Sequence, residues 1–134
     1  VNTAATFEQT RVPDALPTGD AAGGAFTPGT YHRTSSTLYT GVGGLTGPNG
    51  VTYKQTMVIS DGGSGAFIGQ SVESDSGAAE WRGTLMGTPA GSTVSLVVTC
   101  PFSAPFADLP YTATATSYTL YDATANTVDT YVKQ

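Results

Sequence analysis

The run Tyr111-Thr112-Ala113-Thr114-Ala115-Thr116 decides the fold class. Successive side chains of an extended chain point to opposite faces. Tyr111, Ala113 and Ala115 therefore share one side and the three threonines the other, as a half-buried strand requires. Tyr118 and Leu120 carry the opposite parity, which places a bulge or tight turn at Thr116-Ser117 and another strand beyond it. The same pattern runs back to Gly29 as short Thr- and Tyr-rich runs of period two, broken by glycine turns, with no stretch at helical spacing. Strands are expected at roughly 30–40, 51–60, 65–74, 79–86, 93–99, 110–116, 118–122 and 127–133. Gly47-Pro48-Asn49-Gly50, Asp61-Gly62-Gly63 and Gly87-Thr88-Pro89-Ala90-Gly91 supply turn chemistry between them.

These runs predict an all-β domain over residues 29–134: a single antiparallel up-and-down meander of about eight strands closing into a small barrel. Closure buries one face and removes both edges, and an open sandwich is the rival arrangement. Residues 1–28 carry Pro13, Pro17, Gly19, Gly23, Gly24 and Pro28 without sustained periodicity, and read as an N-terminal linker or arm. Within the arm, residues 5–12 could form one strand, covering its own sheet or extending a neighbour's.

Composition narrows the function classes. A chain of 134 residues is one domain, able to bury roughly two-thirds of its unfolded surface. Charged residues make up only 11%, against about 25% ordinarily, and the net charge is −5. The basic residues Arg11, Arg33, Lys54, Arg82 and Lys133 are scattered singly, so there is no basic stripe for nucleic acid or anionic lipid. No apolar run approaches the ~20 residues of a membrane helix. The opening at Val1, with no basic or apolar leader, is the form expected of a processed or a trimmed chain, and low Lys with high Thr favours an exported protein. Cys100 is the sole cysteine and reads as a buried small hydrophobe at a strand end.

Parity also assigns faces. Tyr31, Arg33, Ser35, Thr37 and Tyr39 align, as do Val51, Tyr53, Gln55, Met57 and Ile59. Ile68, Gln70 and Val72 form a third set; Trp81, Gly83 and Leu85 a fourth; Val94, Leu96, Val98 and Cys100 a fifth. Met57, Ile59, Trp81, Leu85, Leu96 and Val98 are the expected core. The inferred inner face then holds Arg33, Ser35, Gln55 and Gln70 among aromatics, where a barrel filled only for packing favours Val, Leu and Ile.

The order of elements resembles small lipocalin-like (calycin-type) domains. The residues that carry this are Gly29-Thr30-Tyr31, Trp81-Arg82-Gly83-Thr84-Leu85, Tyr118-Thr119-Leu120-Tyr121 and Val128-Asp129-Thr130-Tyr131. Val98-Thr99-Cys100-Pro101 and the closing strands also resemble uncharacterised secreted or lipid-anchored proteins of myxobacteria. The usual lipocalin opening has Trp where this chain has Tyr31, and no helix follows the last strand, so the resemblance leaves the ligand type open.

Little in the chain suggests reaction chemistry. His32 is the only histidine and shares a face with Thr34 and Ser36, expected to be the outer one. One His and one Cys cannot furnish a structural zinc site. Glu73-Ser74-Asp75 near Glu80 lacks calcium-loop spacing and reads as a solvated hairpin tip. Nucleophile-elbow, phosphate-loop and dinucleotide motifs are absent, and the threonine run has no repeat of the kind an ice-binding array needs. No catalytic residue, metal or cofactor is assigned, and the chain is not read as an enzyme.

Two functional classes remain. In the first, Tyr31, Arg33, Tyr53, Gln55, Gln70 and Trp81 line a mouth that holds a small apolar or amphipathic ligand. The plain alternative is that these side chains fill the interior and satisfy one another. In the second class, a structural or adhesive surface protein self-associates through strand addition by the 1–28 arm.

Overall fold

The hydrogen-bond ladder of this chain returns to where its long strands begin. The computed structural model describes residues 1–134, with every side chain except that of Ala107. Its strands are β1 (Phe7–Val12), β2 (Gly29–Tyr39), β3 (Gly47–Gly63), β4 (Ala66–Asp75), β5 (Trp81–Ala90), β6 (Thr93–Cys100), β7 (Ala104–Ala113), β8 (Ser117–Asp122) and β9 (Thr127–Lys133). From β2 to β9 each strand pairs antiparallel with the next. β9 then pairs with β2, from Tyr31↔Lys133 to Leu38↔Thr127, so the sheet closes into a ring. Among the described residues no helix is long and apolar enough to cross a membrane.

The count of strands and their direction differ from expectation, because β1 is drawn from the stretch read as an arm. β2 and β3 pair directly only from Gly29↔Ile59 to His32↔Thr56. Above that point they part, and β1 fills the wedge, parallel to β2 at Thr10–Val12 and antiparallel to β3. The result is one mixed, nine-stranded sheet. Gly47-Pro48-Asn49-Gly50, expected as a turn, instead extends β3 alongside β1; Gly47 and Gly50 take positive φ near the register shift between Glu8 and Thr10. The reversal lies just before it, where Gly44 N–H donates to Gly41 O at 3.0 Å.

The rest of the arm closes the lower end of the ring. Gly23 N–H donates to Tyr111 O and Ala113 N–H to Gly23 O, both at 2.8 Å. The hydroxyls of Tyr111 and Tyr31 donate to Gly24 O and Thr27 O, each at 2.7 Å. These bonds deliver Phe26 into the ring, its centroid 4.4 Å from Phe67, 4.9 Å from Tyr111 and 5.3 Å from Tyr118. Around it lie the buried Tyr31, Met57, Ile59, Val94, Leu96, Leu109 and Tyr131, with Leu85 packed alongside. Phe26 is only partly buried, so Phe26→Ala is expected to lose about 2–3 kcal/mol in urea unfolding, below the 3–5 of a fully buried ring. A loss under about 0.5 kcal/mol would show that the lower end does not depend on this plug.

Several face assignments change, each for a local reason. A register shift between Arg33 and Ser35 against β9 turns Ser36 inward and leaves Ser35 exposed. In β4 the inward set is Phe67, Gly69, Ser71 and Glu73, so Gln70 is exposed on the outside, contrary to its assignment. Bulk explains the inversion: Phe67 lies against Gly87 of β5, where a Cβ would strike its ring, and small residues must stand where large neighbours cross. Trp81 does face inward, but at 38% exposure it lies over Gly83 and outside the core cluster. Cys100 is exposed at the end of β6, not buried. β7 begins at Ala104 and ends at Ala113, because Thr114 starts the turn; its Oγ1 accepts Ser117 N–H at 3.1 Å.

Candidate functional site

Above the aromatic plug the ring encloses a cavity of about 310 Å³, partly open at the upper end. Met57, Leu85, Leu96, Val98, Leu109 and Leu120 give it apolar walls, and Trp81 and Phe106 stand at its rim. Phe106 is 63% exposed. The ladder of the ring is short at the seam between β7 and β8. Those strands pair only from Tyr111↔Leu120 to Ala113↔Tyr118, whereas β3 and β4 stay paired from Tyr53↔Asp75 to Gly63↔Ala66. Pro105 and Pro110 lie on the splayed half of β7; each lacks the N–H a continuing ladder would use.

Polar groups gather on one side of the cavity in two layers. In the deeper layer Tyr131 OH donates to Gln55 Oε1 at 2.9 Å, and Gln55 Nε2 donates to Ser71 Oγ at 2.9 Å. Tyr131 also stacks on Tyr118, with centroids 4.5 Å apart and planes 12° apart. In the upper layer Arg33, 7% exposed, donates from Nη2 to Asp129 Oδ1 at 2.6 Å and from Nη1 to Glu73 Oε1 at 3.3 Å. Its Cζ sits 4.1 Å from the ring centre of Tyr53, a cation–π contact. Ser36 Oγ accepts from Arg33 Nη2 at 3.3 Å and from Gln9 Nε2 of β1 at 2.9 Å, tying the inserted strand to this layer.

The electrostatics follow from burial. Among the described lining residues Arg33 is the one cation, against the carboxylates of Glu73, Asp122 and Asp129. Burial opposes the Arg33 charge, but Tyr131, Asp129 and Glu73 outweigh it and the guanidinium pKa is raised. Burial also lifts the Glu73 carboxyl above its ordinary range; Arg33 works against that rise, while Asp129 and Asp75 add to it. Among the described residues the Nε of Arg33 has no hydrogen-bond partner. Among the described residues no three His, Cys, Asp or Glu side chains converge as metal ligands. His32 is on the outer face, its Nε2 2.8 Å from Thr3 Oγ1.

Of the six residues expected at a mouth, Arg33, Tyr53, Gln55 and Trp81 line this cavity. Tyr31 is inside the ring but lies below, in the plug, at 1% exposure. Gln70 is on the outer surface. The residues missed are chiefly Ser71 and Glu73, hidden by the inverted parity of β4, and Asp129 and Tyr131. The period-two run Thr127–Asp129–Tyr131 was a signal that would have found the last two. Comparison with known proteins finds no matching family model, curated protein or solved structure.

Proposed function

We propose that this chain is an exported or surface-attached, lipocalin-like β-barrel whose work is non-covalent carriage or sensing of one small amphipathic molecule, without catalysis. The observation that carries the reading is the cavity itself: about 310 Å³, apolar on most sides, polar on one, and open past aromatic side chains. Clefts of roughly 300–1,000 Å³ with apolar walls and a few placed polar groups are the usual form of small-ligand sites. Export rests on composition: 11% charged residues, high Thr and Tyr, and scattered basic residues suit an extracellular domain. The adhesive reading is less favoured, because β1, the strand it would lend to a neighbour, is paired on both sides within its own chain.

Trp81 is the only tryptophan and stands at the rim, so it reports directly on occupancy. Titration with 1-octanol is expected to shift its emission saturably at one equivalent, and Val98→Phe, which narrows the cavity, should weaken the response. Native mass spectrometry of protein isolated from its source should retain a small passenger that denaturation releases. A linear, unsaturable fluorescence change together with a bare protein mass would remove the basis for a ligand site.

A further inference from the structure

Resting on that reading, we propose that the cavity selects an amphiphile with a protonated amine head and excludes one with a carboxylate head. The charge pattern argues it. Arg33 is the one cation among the described lining residues, and it is already matched by Asp129 at 2.6 Å and Glu73 at 3.3 Å. An anionic head entering here finds only the Arg33 Nε–H unpaired and meets carboxylates on three elements: Glu73 on β4, Asp129 on β9 and Asp122 at the end of β8. Glu73 is the acceptor left in surplus. It receives only the longer of Arg33's two carboxylate contacts, its side chain is 29% exposed, and burial makes its charge costly. A cation placed beside it relieves that cost.

One other feature fits the same guest, and one must be met by something it carries. Trp81 and Tyr53 line the cavity close to this layer, and Tyr53 already holds a guanidinium over its ring, so aromatic side chains that attract cations are at hand. The Arg33 Nε–H is buried without an acceptor among the described residues, and an ammonium head, which has donors only, cannot itself supply one. A water carried by an ammonium head, or a neutral hydroxyl, supplies that acceptor without adding a fourth negative charge. The expected order is therefore amine, then alcohol, then carboxylate. At about 30 Å³ per water-sized group the cavity takes roughly ten such groups, which suits an octyl probe of about nine or ten heavy atoms. The protein's net charge of −5 adds long-range attraction for a cation.

The test uses the full chain, Trp81 emission, and three probes that share one tail: octylamine, 1-octanol and octanoate at pH 7. At that pH the amine is charged like a lysine and the acid like a glutamate. Octylamine is expected to bind at least about tenfold more tightly than octanoate, with octanol between them. Glu73→Gln should cut the amine-to-carboxylate ratio several-fold, and Asp122→Asn less; melting curves confirm that both variants fold. Added salt should shrink the ratio without abolishing it. Octanoate binding as well as octylamine, or a ratio unmoved by either variant, overturns the head-group inference while leaving the cavity reading standing. A lack of saturable response to all three probes overturns both.

Discussion

Arg33→Met is expected to cost about 3–5 kcal/mol of stability at neutral pH, the scale for removing one partner of a buried ion pair. The loss does not come from the side chain's volume, which methionine largely keeps. It comes from what remains: Asp129 and Glu73, now without the guanidinium that both accept from. The pH dependence has a definite sign. Burial raises the folded-state pKa of Glu73 while Arg33 lowers it. A carboxyl whose pKa is higher folded than unfolded takes up a proton on folding. Its contribution is therefore most favourable at low pH and is lost as pH rises from the unfolded pKa through the folded one. Without Arg33 that window widens upward, so the deficit of the variant should shrink as pH falls from 7 towards 4. Urea unfolding at both pH values measures it. The triple variant Arg33→Met, Glu73→Gln, Asp129→Asn should recover much of the loss at pH 7, since no charge is then left unmatched. A deficit under about 1 kcal/mol, or one equal at both pH values, would show that the layer is not held by this ion pair.

The same layer shows what could be read from residue order and what could not. Strand positions were legible wherever alternation was clean and turn residues bounded it, as in β8 and β9, where the parity break near Ser117 does mark a hairpin. The inner faces of β3 and β5 were legible for the same reason: Gln55, Met57 and Leu85 line the cavity as their parity requires. β4 misled because hydropathy and bulk disagree there. Ile68 and Val72 look like core, yet the interior opposite Met57 and Leu85 has room only for Gly69, with Phe67 over Gly87. Packing against residues distant in sequence decides such a face, and no local pattern carries that information. The bulge that brings Arg33 and Ser36 to one side is likewise set by the register with β9. Two prolines masked the first half of β7, where the ladder to β8 is missing and an N–H is not needed. Residues 1–28 were legible in part: the possible strand at 5–12 is β1 (Phe7–Val12), while no pattern marked Phe26. Their prolines and glycines describe how the chain turns, while Phe7–Val12 and Phe26 are structural parts of the ring.

That last point has the largest mechanical consequence. Deleting residues 1–12 is expected to cost on the order of 5 kcal/mol and to abolish binding to the cavity, because β1 is the wall where β2 and β3 part. β1 aligns with β2 from Thr10 to Val12 and with β3 at Phe7, Glu8, Thr10 and Arg11. Ladder hydrogen bonds at roughly 0.5–1.5 kcal/mol net each account for that sum. Side chains add to it. Asn2 Nδ2 donates to Lys54 O at 2.8 Å, and Thr56 Oγ1 donates to Asn2 Oδ1 at 3.0 Å. Gln9 holds Ser36 at 2.9 Å and accepts from Asn49 Nδ2 at 2.6 Å, so its loss also loosens the Arg33 layer. A synthetic peptide of residues 1–14 added to the shortened chain should restore both the unfolding midpoint and the Trp81 response, since the groove between β2 and β3 has one matching strand. Such complementation would also separate the two functional readings. If β1 serves its own ring, the full chain stays monomeric at micromolar concentration and gains nothing from added peptide. If β1 is instead exchanged between copies, the full chain forms dimers or longer assemblies that the peptide dissolves. A shortened chain as stable as the original, still binding octanol, would show that β1 is an ornament on a ring already complete without it.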